Sequence, residues 1–372
     1  MSHMAGRRMG EHKQRLLILT PDFSPEYGGV QALAAGLARA LSGFRTEVVT
    51  PFHQAAAGFD VDSGIATRRV GGSVAPQQAR VLALNMAAVR HALRVRPHVT
   101  LSVHAVCSPA ATAIRRLLGA RTGQYFHANE ILHRPRLCAF AAGRANVVVA
   151  VSSYTASLLA QAGATPASLQ VIPPGIDLPA DAVPLPAERP TVLTIAQLKH
   201  RYKGHGVLIR ALPEVSRHVP SVEWVVIGDG PLREELEARA RSAGLGERAR
   251  FLGAVRDSER NSWLRRADVF AMPSGLPGEG FGIAYLEASA YAKPIVAGNV
   301  GGSPEAVLDG VSGLLVDPTD PTAVADALTR LLLDRELAHR LGDQGAARAR
   351  GFAWPVIARR VEAALLGSTA IA

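Results

Sequence analysis

The 372-residue chain has two cysteines and only 5% aromatic residues. Cys107 and Cys138 have no zinc-type spacing, so a disulfide framework and a cysteine zinc site are excluded and a reducing, cytoplasmic location is expected. No apolar run reaches the roughly 18 residues that a membrane span needs. The first residues lack the apolar core of a signal peptide, and we expect residues 1–13 to be a tag or a disordered terminus.

Other absences narrow the chemistry. None of the 12 histidines forms an H-E-x-x-H pair, and no Ser-His-Asp set or activated cysteine can be assembled from motifs. We therefore expect metal-independent chemistry with no cofactor besides a substrate. The isoelectric point is about 10.3, but with so few aromatic residues and no recognisable nucleic-acid module, a nucleic-acid partner is not expected.

The apolar pattern alternates between short strands and helices in two successive arrays. The proline-rich stretch 173–190 between them can be neither helix nor central strand, so it contains the linker. Two such arrays predict an α/β protein with two doubly wound parallel sheets facing a cleft. The predicted strands are 15–20, 47–50, 99–103, 123–126 and 146–151, then 191–195, 224–227, 249–252, 269–272 and 294–297. The predicted parts are an N-terminal domain (14–178), a linker (179–190), a C-terminal domain (191–352) and a last helical segment (353–372) that crosses back.

An acidic, glycine-rich loop that runs into a helix is the most informative segment, with the sequence PSGLPGEGFGIAYLEASAYAKP from Pro273. Its composition predicts a buried helix that begins near Phe281, which places Glu279 on the loop and Glu287 in the second helical turn. A phosphate is favoured at the positive end of such a helix. The two carboxylates would then flank it, one accepting from a hexose and the other from a ribose.

The glycines of this loop allow a ligand to approach the backbone. Gly280 and Gly282 have no side chains to block the N–H groups before the helix. A dinucleotide fingerprint would need a further glycine where Ile283 stands, so the loop does not predict a Rossmann cofactor site.

This spacing of two glutamates resembles the E-x7-E signature of the retaining nucleotide-sugar glycosyltransferases of family 4. The resemblance extends over residues 14–365. It is carried by Gly28-Gly29, His127-x-x-Glu130, Val151-Ser152, Pro174-Gly175-Ile176-Asp177, Tyr202-Lys203-Gly204-His205, Ile227-Gly228-Asp229-Gly230-Pro231, Pro273-Ser274, Glu279-Gly280-Phe281-Gly282, Glu287-Ala288, Lys293-Pro294, Gly301-Gly302 with Glu305, and Val311 to Pro318.

The resemblance implies the GT-B fold, with an acceptor-binding first domain and a second domain that binds a GDP- or UDP-linked hexose. It also implies transfer with retention of anomeric configuration, in which the donor β-phosphate helps to deprotonate the acceptor hydroxyl. The implied catalytic residues are Glu279, His127 and Lys203. The implied donor-binding residues are Gly28, Gly29, Gln197, Arg201, Lys203, Gly228, Gly280, Phe281, Gly282, Ile283 and Glu287.

One position departs from the family pattern. Gln197 stands where members usually carry an arginine that contacts phosphate, and Arg201 and Lys199 are the candidate replacements. A catalytically silent relative that only binds the sugar or nucleotide is therefore one alternative, and turnover would distinguish it from an enzyme. A nucleotide-sugar epimerase of the same fold is another, although it would be expected to lack two glutamates spaced as here.

Charge is distributed unevenly along the chain. Residues 1–178 hold 18 Lys and Arg against 8 Asp and Glu, whereas the remainder holds 23 against 23, so the net charge of +10 lies in the first part. This is either a solvated face or a surface for an anionic acceptor or membrane. The sequences of these motifs are most similar to those of phosphatidylinositol mannosyltransferases. This resemblance implies a mannosyl donor and a lipid-linked acceptor, although small-molecule and glycan acceptors stay open. Such an enzyme would be peripheral on the inner face of the membrane.

Overall fold

Two parallel β-sheets flanked by helices make up the chain in a computed structural model that describes residues 13–26, 28–71, 76–276 and 278–367. Residues 1–12 of the expected terminal tag lie outside this described part, as do residues 368–372 of the expected C-terminal segment. The α/β architecture predicted from the two alternating arrays is confirmed.

The first sheet contains seven strands, and each adjacent pair is parallel. Its strands are β1 (Gln14–Leu19), β2 (Phe44–Pro51), β3 (Thr67–Val70), β4 (Val99–Ser102), β5 (Arg121–Phe126), β6 (Val147–Ala150) and β7 (Leu169–Val171). Its helices are α1 (Gly29–Ala40), α2 (Ala56–Ser63), α3 (Gln77–Val95), α4 (Ser108–Leu118), α5 (Ala128–His133), α6 (Pro135–Arg144) and α7 (Ser153–Gln161). The spatial order is β3-β2-β1-β4-β5-β6-β7.

The second sheet contains six parallel strands. They are β8 (Thr191–Ile195), β9 (Glu223–Ile227), β10 (Ala249–Gly253), β11 (Val269–Met272), β12 (Ile295–Gly298) and β13 (Leu314–Val316). Its helices are α8 (His205–His218), α9 (Arg233–Ser242), α10 (Asp257–Arg266), α11 (Ile283–Ala290), α12 (Ser303–Ala306), α13 (Pro321–Leu333) and α14 (Arg335–Ala349). The spatial order is β10-β9-β8-β11-β12-β13.

Each sheet reverses its strand order beside its first strand. β1 lies between β2 and β4, and β8 lies between β9 and β11. Because successive connections leave such a point in opposite directions, a crevice opens there beyond the carboxyl ends of the strands. The loops that follow β1, β4, β8 and β11 therefore form the candidate site.

The last helix, α15 (Trp354–Leu366), packs on the first sheet's half of the chain. The Trp354 ring lies between two glycines, and a Cβ atom would stand 1.8 Å from it at Gly36 and 2.5 Å from it at Gly175. Further along the helix, the Glu362 carboxylate accepts the Gly43 N–H at 2.7 Å. Helix α15 therefore holds α1 and the start of the proline-rich stretch together.

All ten predicted strands form, but β3, β7 and β13 were missed. The missed strands have three or four residues each and lie at or next to sheet edges. Their sequences, TRRV, LQV and LLV, are too short or too polar to give an apolar run. Pairing with a neighbouring strand, rather than local pattern, determines them.

We expect Gly36→Ala to destabilise the protein by about 1–3 kcal/mol, because the added methyl group overpacks the contact with the Trp354 ring. Thermal unfolding would measure this as a lower melting temperature. The matched control is Gly58→Ala on α2, where a Cβ atom meets nothing within 4 Å and alanine should stabilise by about 0.5–1 kcal/mol. Equal melting temperatures for both variants would contradict the packing described for Trp354.

Candidate active site

Lys203 and Glu279 form an ion pair at the crevice of the second sheet. Lys203 ends a 3-10 turn after β8, and Glu279 lies in the loop between β11 and α11. Lys203 Nζ is 2.7 Å from Glu279 Oε2, and the two side chains are only 18% and 7% exposed. Burial alone would lower the pKa of Lys203, but the Glu279 carboxylate and Tyr202 raise it above its usual value. A cation suited to phosphate and an acceptor suited to sugar hydroxyls are thus adjacent.

The backbone and side chain of Glu279 are both held in place. The buried Ser274 donates its Oγ–H to Glu279 Oε2 at 3.2 Å. The Gly302 N–H donates to the Glu279 carbonyl oxygen at 2.9 Å. Gly301 has a left-handed φ of 66°, and a Cβ atom there would lie 2.8 Å from the same oxygen. The glycine pair after β12 therefore sets the position of the acidic loop.

Two helix N-termini without side-chain caps meet at this pair. α1 follows its N-cap Gly28 and α11 follows its N-cap Gly282, and neither residue supplies a capping side chain. A Cβ atom at Gly29 would lie 3.7 Å from the end of the Ile283 side chain. The positive ends of two helices, one from each half of the chain, thus converge in a geometry that suits an anion. α11 begins two residues later than predicted, at Ile283 rather than Phe281.

Two predicted donor-binding residues in the loop after β8, Gln197 and Arg201, point in different directions. Gln197 faces Gly28, where a Cβ atom would lie 3.0 Å from Gln197 Nε2. Arg201 instead pairs with Glu235 of α9, at 2.7 Å between Nη2 and Oε2, and its side chain is 66% exposed. Arg201 thus points to α9 in this structure, and its replacement of the family arginine stays a prediction.

Two further predicted donor-binding residues have evident packing roles. Gly228 adopts a φ of 136°, and a Cβ atom there would lie 1.9 Å from the Ala196 carbonyl oxygen. Phe281 is buried, with its ring 5.9 Å from the Phe352 ring. The Phe281 side chain therefore belongs to the core, which leaves its backbone for a ligand.

Glu287 lies in the second turn of α11, as predicted, beside a cation that the sequence analysis missed. Arg260 of α10 donates from Nη1 to Glu287 Oε1 at 3.3 Å. Burial raises the pKa of Glu287, and Arg260 opposes that shift. Arg260 Nε is buried without a hydrogen-bond partner among the described residues. The DSERNSW sequence around Arg260 reads as a solvated helix, so no local signal marks this residue.

A cleft of about 340 Å³ lies in the crevice of the first sheet. Its more buried polar groups are Asp22, His104, His127 and Glu130, and its exposed cations include Arg80 and Arg134. Asp22 follows β1 and His104 follows β4, which are the two strands beside the reversal of strand order. This cleft is therefore a second candidate binding region.

Glu130 organises the buried groups of this cleft. Its Oε2 accepts the Ala105 N–H at 2.7 Å and lies 3.0 Å from His104 Nδ1, while Oε1 accepts the His127 N–H at 3.1 Å. Burial would raise the pKa of Glu130, but His104 lowers it overall. Burial would likewise lower the pKa of His104, but Glu130 raises it, with Asp22 adding to the effect. The Glu130 carboxylate and the His104 ring, which favours its charged form, thus make a buried ion pair.

His127 lies at the N-cap of α5 and remains a predicted contact for a sugar. Its Nε2 is 3.1 Å from the Val103 carbonyl oxygen, and because a carbonyl only accepts, Nε2 carries the proton. Burial lowers the pKa of His127, so the ring is neutral and Nδ1 can only accept. In the capping box of α5, the Glu130 N–H is directed at the His127 side chain. A Cβ atom at Gly280 would lie 3.3 Å from the Ala128 N atom, so the acidic loop contacts the residue after His127.

The sequence analysis missed one pair of carboxylates, on α2. Asp60-Val61-Asp62 is a D-x-D triplet, a pattern of oxygen ligands that suits a divalent cation. It lies on α2, where residues two apart do not face each other, and Arg69 holds Asp60 at 2.8 and 2.9 Å. This triplet lies on α2 of the first half, whereas Lys203 and Glu279 follow β8 and β11 of the second half. Metal-independent chemistry stays a prediction.

Comparison with known proteins identifies the class. Residues 27–179 match the family model described as "Glycosyltransferase Family 4", and residues 180–348 match "Glycosyl transferases group 1". The structure resembles Anabaena HepE in complex with UDP-glucose, with a TM-score of 0.81 at 21% identity over 95% of this chain and 100% of that one. It also resembles a sucrose-phosphate synthase from Thermosynechococcus elongatus, with a TM-score of 0.79 at 21% identity over 94% and 97%. The fold is GT-B, two Rossmann-like domains facing a cleft.

Sequence relatives narrow the class to a family. A GDP-mannose-dependent α-(1-6)-phosphatidylinositol monomannoside mannosyltransferase of Mycobacterium tuberculosis is 34% identical over 89% of this chain and 92% of its own length. A D-inositol 3-phosphate glycosyltransferase of Xylanimonas cellulosilytica is 36% identical over 57% and 56%. The chain belongs to glycosyltransferase family 4. It is an enzyme that transfers a sugar from a nucleotide sugar.

The His104–Glu130 contact predicts a pH-dependent contribution to stability. Because the pKa of folded His104 is raised above its unfolded value of 6.5, its contribution is complete below pH 6.5 and is lost as pH rises through the folded pKa. We expect the melting-temperature gap between wild type and His104→Asn to be wider at pH 6 than at pH 9. Asparagine is polar but does not titrate between these pH values, so it removes only the titrating ring.

His339→Asn is the matched control for this measurement, since it removes an exposed histidine from α14. Asp22, Glu130, His127 and Arg134 surround His104 and are common to wild type and variant. A gap for His104→Asn that stayed constant with pH, or that widened toward pH 9, would contradict the assigned pairing.

Proposed function

We propose that the enzyme transfers mannose from GDP-mannose, with retention of configuration and without a metal, to a hydroxyl of a lipid-linked, anionic acceptor. The observation that carries the proposal is the Lys203–Glu279 pair at the meeting point of two uncapped helix N-termini. The GDP-mannose dependence named for the mycobacterial relative supports the choice of donor.

The donor assignment follows from the chemistry of a sugar nucleotide. Its hexose is bonded directly to the β-phosphate, so the group that binds the phosphate and the group that binds the sugar must be neighbours. Lys203 and Glu279, 2.7 Å apart, meet that requirement. Glu287, in the second turn of α11, would accept from the ribose on the other side of the diphosphate. Lys203 and the helix N-termini would stabilise the diphosphate as it leaves.

The mechanism we propose uses positioning and charge rather than a protein nucleophile. Glu279 already accepts hydrogen bonds from Lys203 and Ser274, so its carboxylate is suited to orient a hexose. The donor β-phosphate oxygen would then take the proton of the acceptor hydroxyl on the face that the leaving group occupies, which gives retention. His127 would lie beside the sugar and help to position it.

The acceptor assignment rests on the charges of the cleft in the first sheet. Asp22, with a pKa raised by burial, and His104 can hydrogen-bond the hydroxyls of a polyol, while Arg80 and Arg134 can pair with an anionic substituent. The two relatives described above are named for acceptors that contain inositol and phosphate. A phosphoinositide-type acceptor combines both features.

The outer face of α3 supports a peripheral membrane location. Leu82, Met86 and Leu93 are between 50% and 65% exposed and lie on one face of the helix with Arg90, and α3 contains no acidic residue. The first turn of the same helix lines the acceptor cleft. Among the described helices, none combines the length and apolarity that crossing a bilayer requires. A lipid-linked acceptor could thus enter the cleft where α3 lies on an anionic leaflet.

The donor prediction is that GDP-mannose raises the melting temperature in the presence of EDTA, whereas UDP-, ADP- and dTDP-sugars raise it less, because a ligand that binds the folded state stabilises it. Removal of a charge-assisted hydrogen bond costs about 1.5–3 kcal/mol, so Lys203→Met should weaken GDP-mannose binding by about tenfold or more. Glu279→Gln should weaken GDP-mannose binding more than GDP binding, because Glu279 would contact the hexose. Isothermal titration calorimetry measures both affinities.

Arg217→Met is the matched control for the lysine, since it removes an exposed cation of the same domain that pairs with Glu214. We expect donor affinity in this variant to stay close to that of wild type. If Arg217→Met weakened binding as much as Lys203→Met, or if EDTA abolished the thermal shift, the donor site or its metal independence would be wrong.

The membrane prediction concerns Arg90→Glu combined with Arg94→Glu. Each basic residue near an anionic leaflet contributes about 1 kcal/mol, so binding to phosphatidylglycerol-containing vesicles should fall by roughly fivefold or more per substitution. Vesicle co-sedimentation at low and high salt measures this fall. The control variant, Arg330→Glu with Arg335→Glu, alters two exposed arginines near α14 by the same charge. Equal losses in both variants would mean that net charge, rather than the α3 face, determines binding.

A further inference from the structure

Glu305 of α12 reaches across from the second half of the chain to the N-terminus of α7 in the first half. Its Oε2 accepts the Ser153 N–H at 2.8 Å, and its Oε1 accepts the Tyr154 N–H at 3.0 Å. The next amide, that of Thr155, donates to Ser152 Oγ at 3.0 Å. The first three amides of α7 are thus satisfied, two of them by a carboxylate from the other domain.

The same residue connects to the acidic loop of the donor site. The Glu305 N–H donates to the Gly302 carbonyl oxygen at 3.2 Å, and the Gly302 N–H donates to the Glu279 carbonyl oxygen at 2.9 Å. On its other side, the Glu305 carbonyl oxygen accepts from Arg348 Nη2 at 2.7 Å. The backbone that holds Glu279 is therefore anchored to α7 through one side chain.

A second contact makes this anchoring relevant to the reaction. The Gly280 position packs against Ala128, the residue after His127, so the donor loop meets the acceptor domain there. The two halves also meet where Gly29 faces Ile283 and where α15 packs on the first half. The Glu305 contact at α7 differs from these because it leads through Gly302 to the Glu279 backbone, and so it bears directly on the orientation of Glu279 relative to His127.

We propose that Glu305 is an interdomain positioning residue that aligns the donor loop with the acceptor cleft. It touches neither substrate, and it acts through Gly302 on Glu279. A glutamine in its place keeps one acceptor oxygen but presents an NH₂ group to the other helix amide, which can only donate. Glu305→Gln should therefore weaken the contact without removing volume.

The partner of the contact can be deleted separately. Ser153 is the first residue of α7, where proline is tolerated because it has the required φ and its missing N–H is not part of the helix ladder. Ser152 before it is extended, with φ −161° and ψ 164°, as a residue before proline prefers. Ser153→Pro thus removes the amide that Glu305 Oε2 accepts and leaves Ser152 and Tyr154 in place.

The kinetic test rests on the proposed GDP-mannose donor and uses both variants and their combination. Because a hydrogen bond to a charged group is worth about 1.5–3 kcal/mol, each single variant should lower transfer turnover by about tenfold. The double variant should be no slower than the slower single variant, and GDP binding should stay close to wild type. Glu336→Gln, an exposed change on α14, is the control. Multiplying effects, or loss of GDP binding in parallel with turnover, would overturn the proposal.

An interdomain distance tests the contact without any substrate. Spin labels at Ala160→Cys on α7 and Arg335→Cys on α14 are both exposed, whereas Cys107 and Cys138 are buried. Double electron–electron resonance should give a narrow distance distribution in wild type and a broader, longer one in Glu305→Gln and in Ser153→Pro. Identical distributions in all three proteins would overturn the proposal. Failure of GDP-mannose to bind would count against the donor, while this distance would still decide the role of Glu305.

Discussion

Close packing of backbone against backbone, between loops at the carboxyl ends of the second sheet, is the constraint on which the donor site depends. A Cβ atom would lie 2.4 Å from the Pro273 carbonyl oxygen at Gly204, 2.1 Å from that of Ser274 at Gly298, and 2.0 Å from that of Gly280 at Gly302. No side chain fits at such distances. These glycines let the lysine loop, the acidic loop and the loop after β12 stack directly on one another, and that stacking brings Lys203 to Glu279. The spacing of glycines in the sequence is therefore a requirement for the ion pair.

How much could be predicted from sequence differs between the two sheets. In the donor half, chemistry and glycine spacing occur together in short motifs, so the loop and the helix after it followed from local pattern, and the family resemblance implied that Lys203 and Glu279 belong to one site. In the acceptor half, Asp22 and His104 lie in the loops after β1 and β4 and Glu130 lies in α5 after β5, and only the topology of these three strands brings them together. His104 belongs to no motif, whereas the family resemblance implied a role for His127. Arg260 was missed for the same reason, since its partner is 27 residues away.

Electrostatics separates the two halves in a way that matches their proposed ligands. The second half is balanced in charge, and within it Arg201, Arg233 and Arg250 are paired with glutamates. Its donor site therefore relies on a few oriented groups, namely one lysine and helix amides, rather than on a broad field. The first half carries the whole net charge, including exposed arginines on α3 and near the acceptor cleft. A long-range field of this kind attracts an anionic surface, whereas short-range contacts select the sugar nucleotide.

The position of α15 has a consequence for the order in which the chain can fold. Leu365 lies so close to Gly123 of β5 that a Cβ atom there would be 2.5 Å away, and Arg360 donates to the Val171 carbonyl oxygen at 2.9 Å. The core of the first sheet is thus completed by residues that are made after the whole second sheet. During synthesis the N-terminal half leaves the ribosome first, and that face of its sheet stays exposed until α15 has been made. Domains usually fold in order as they emerge, but here the first domain to emerge is finished only after the second.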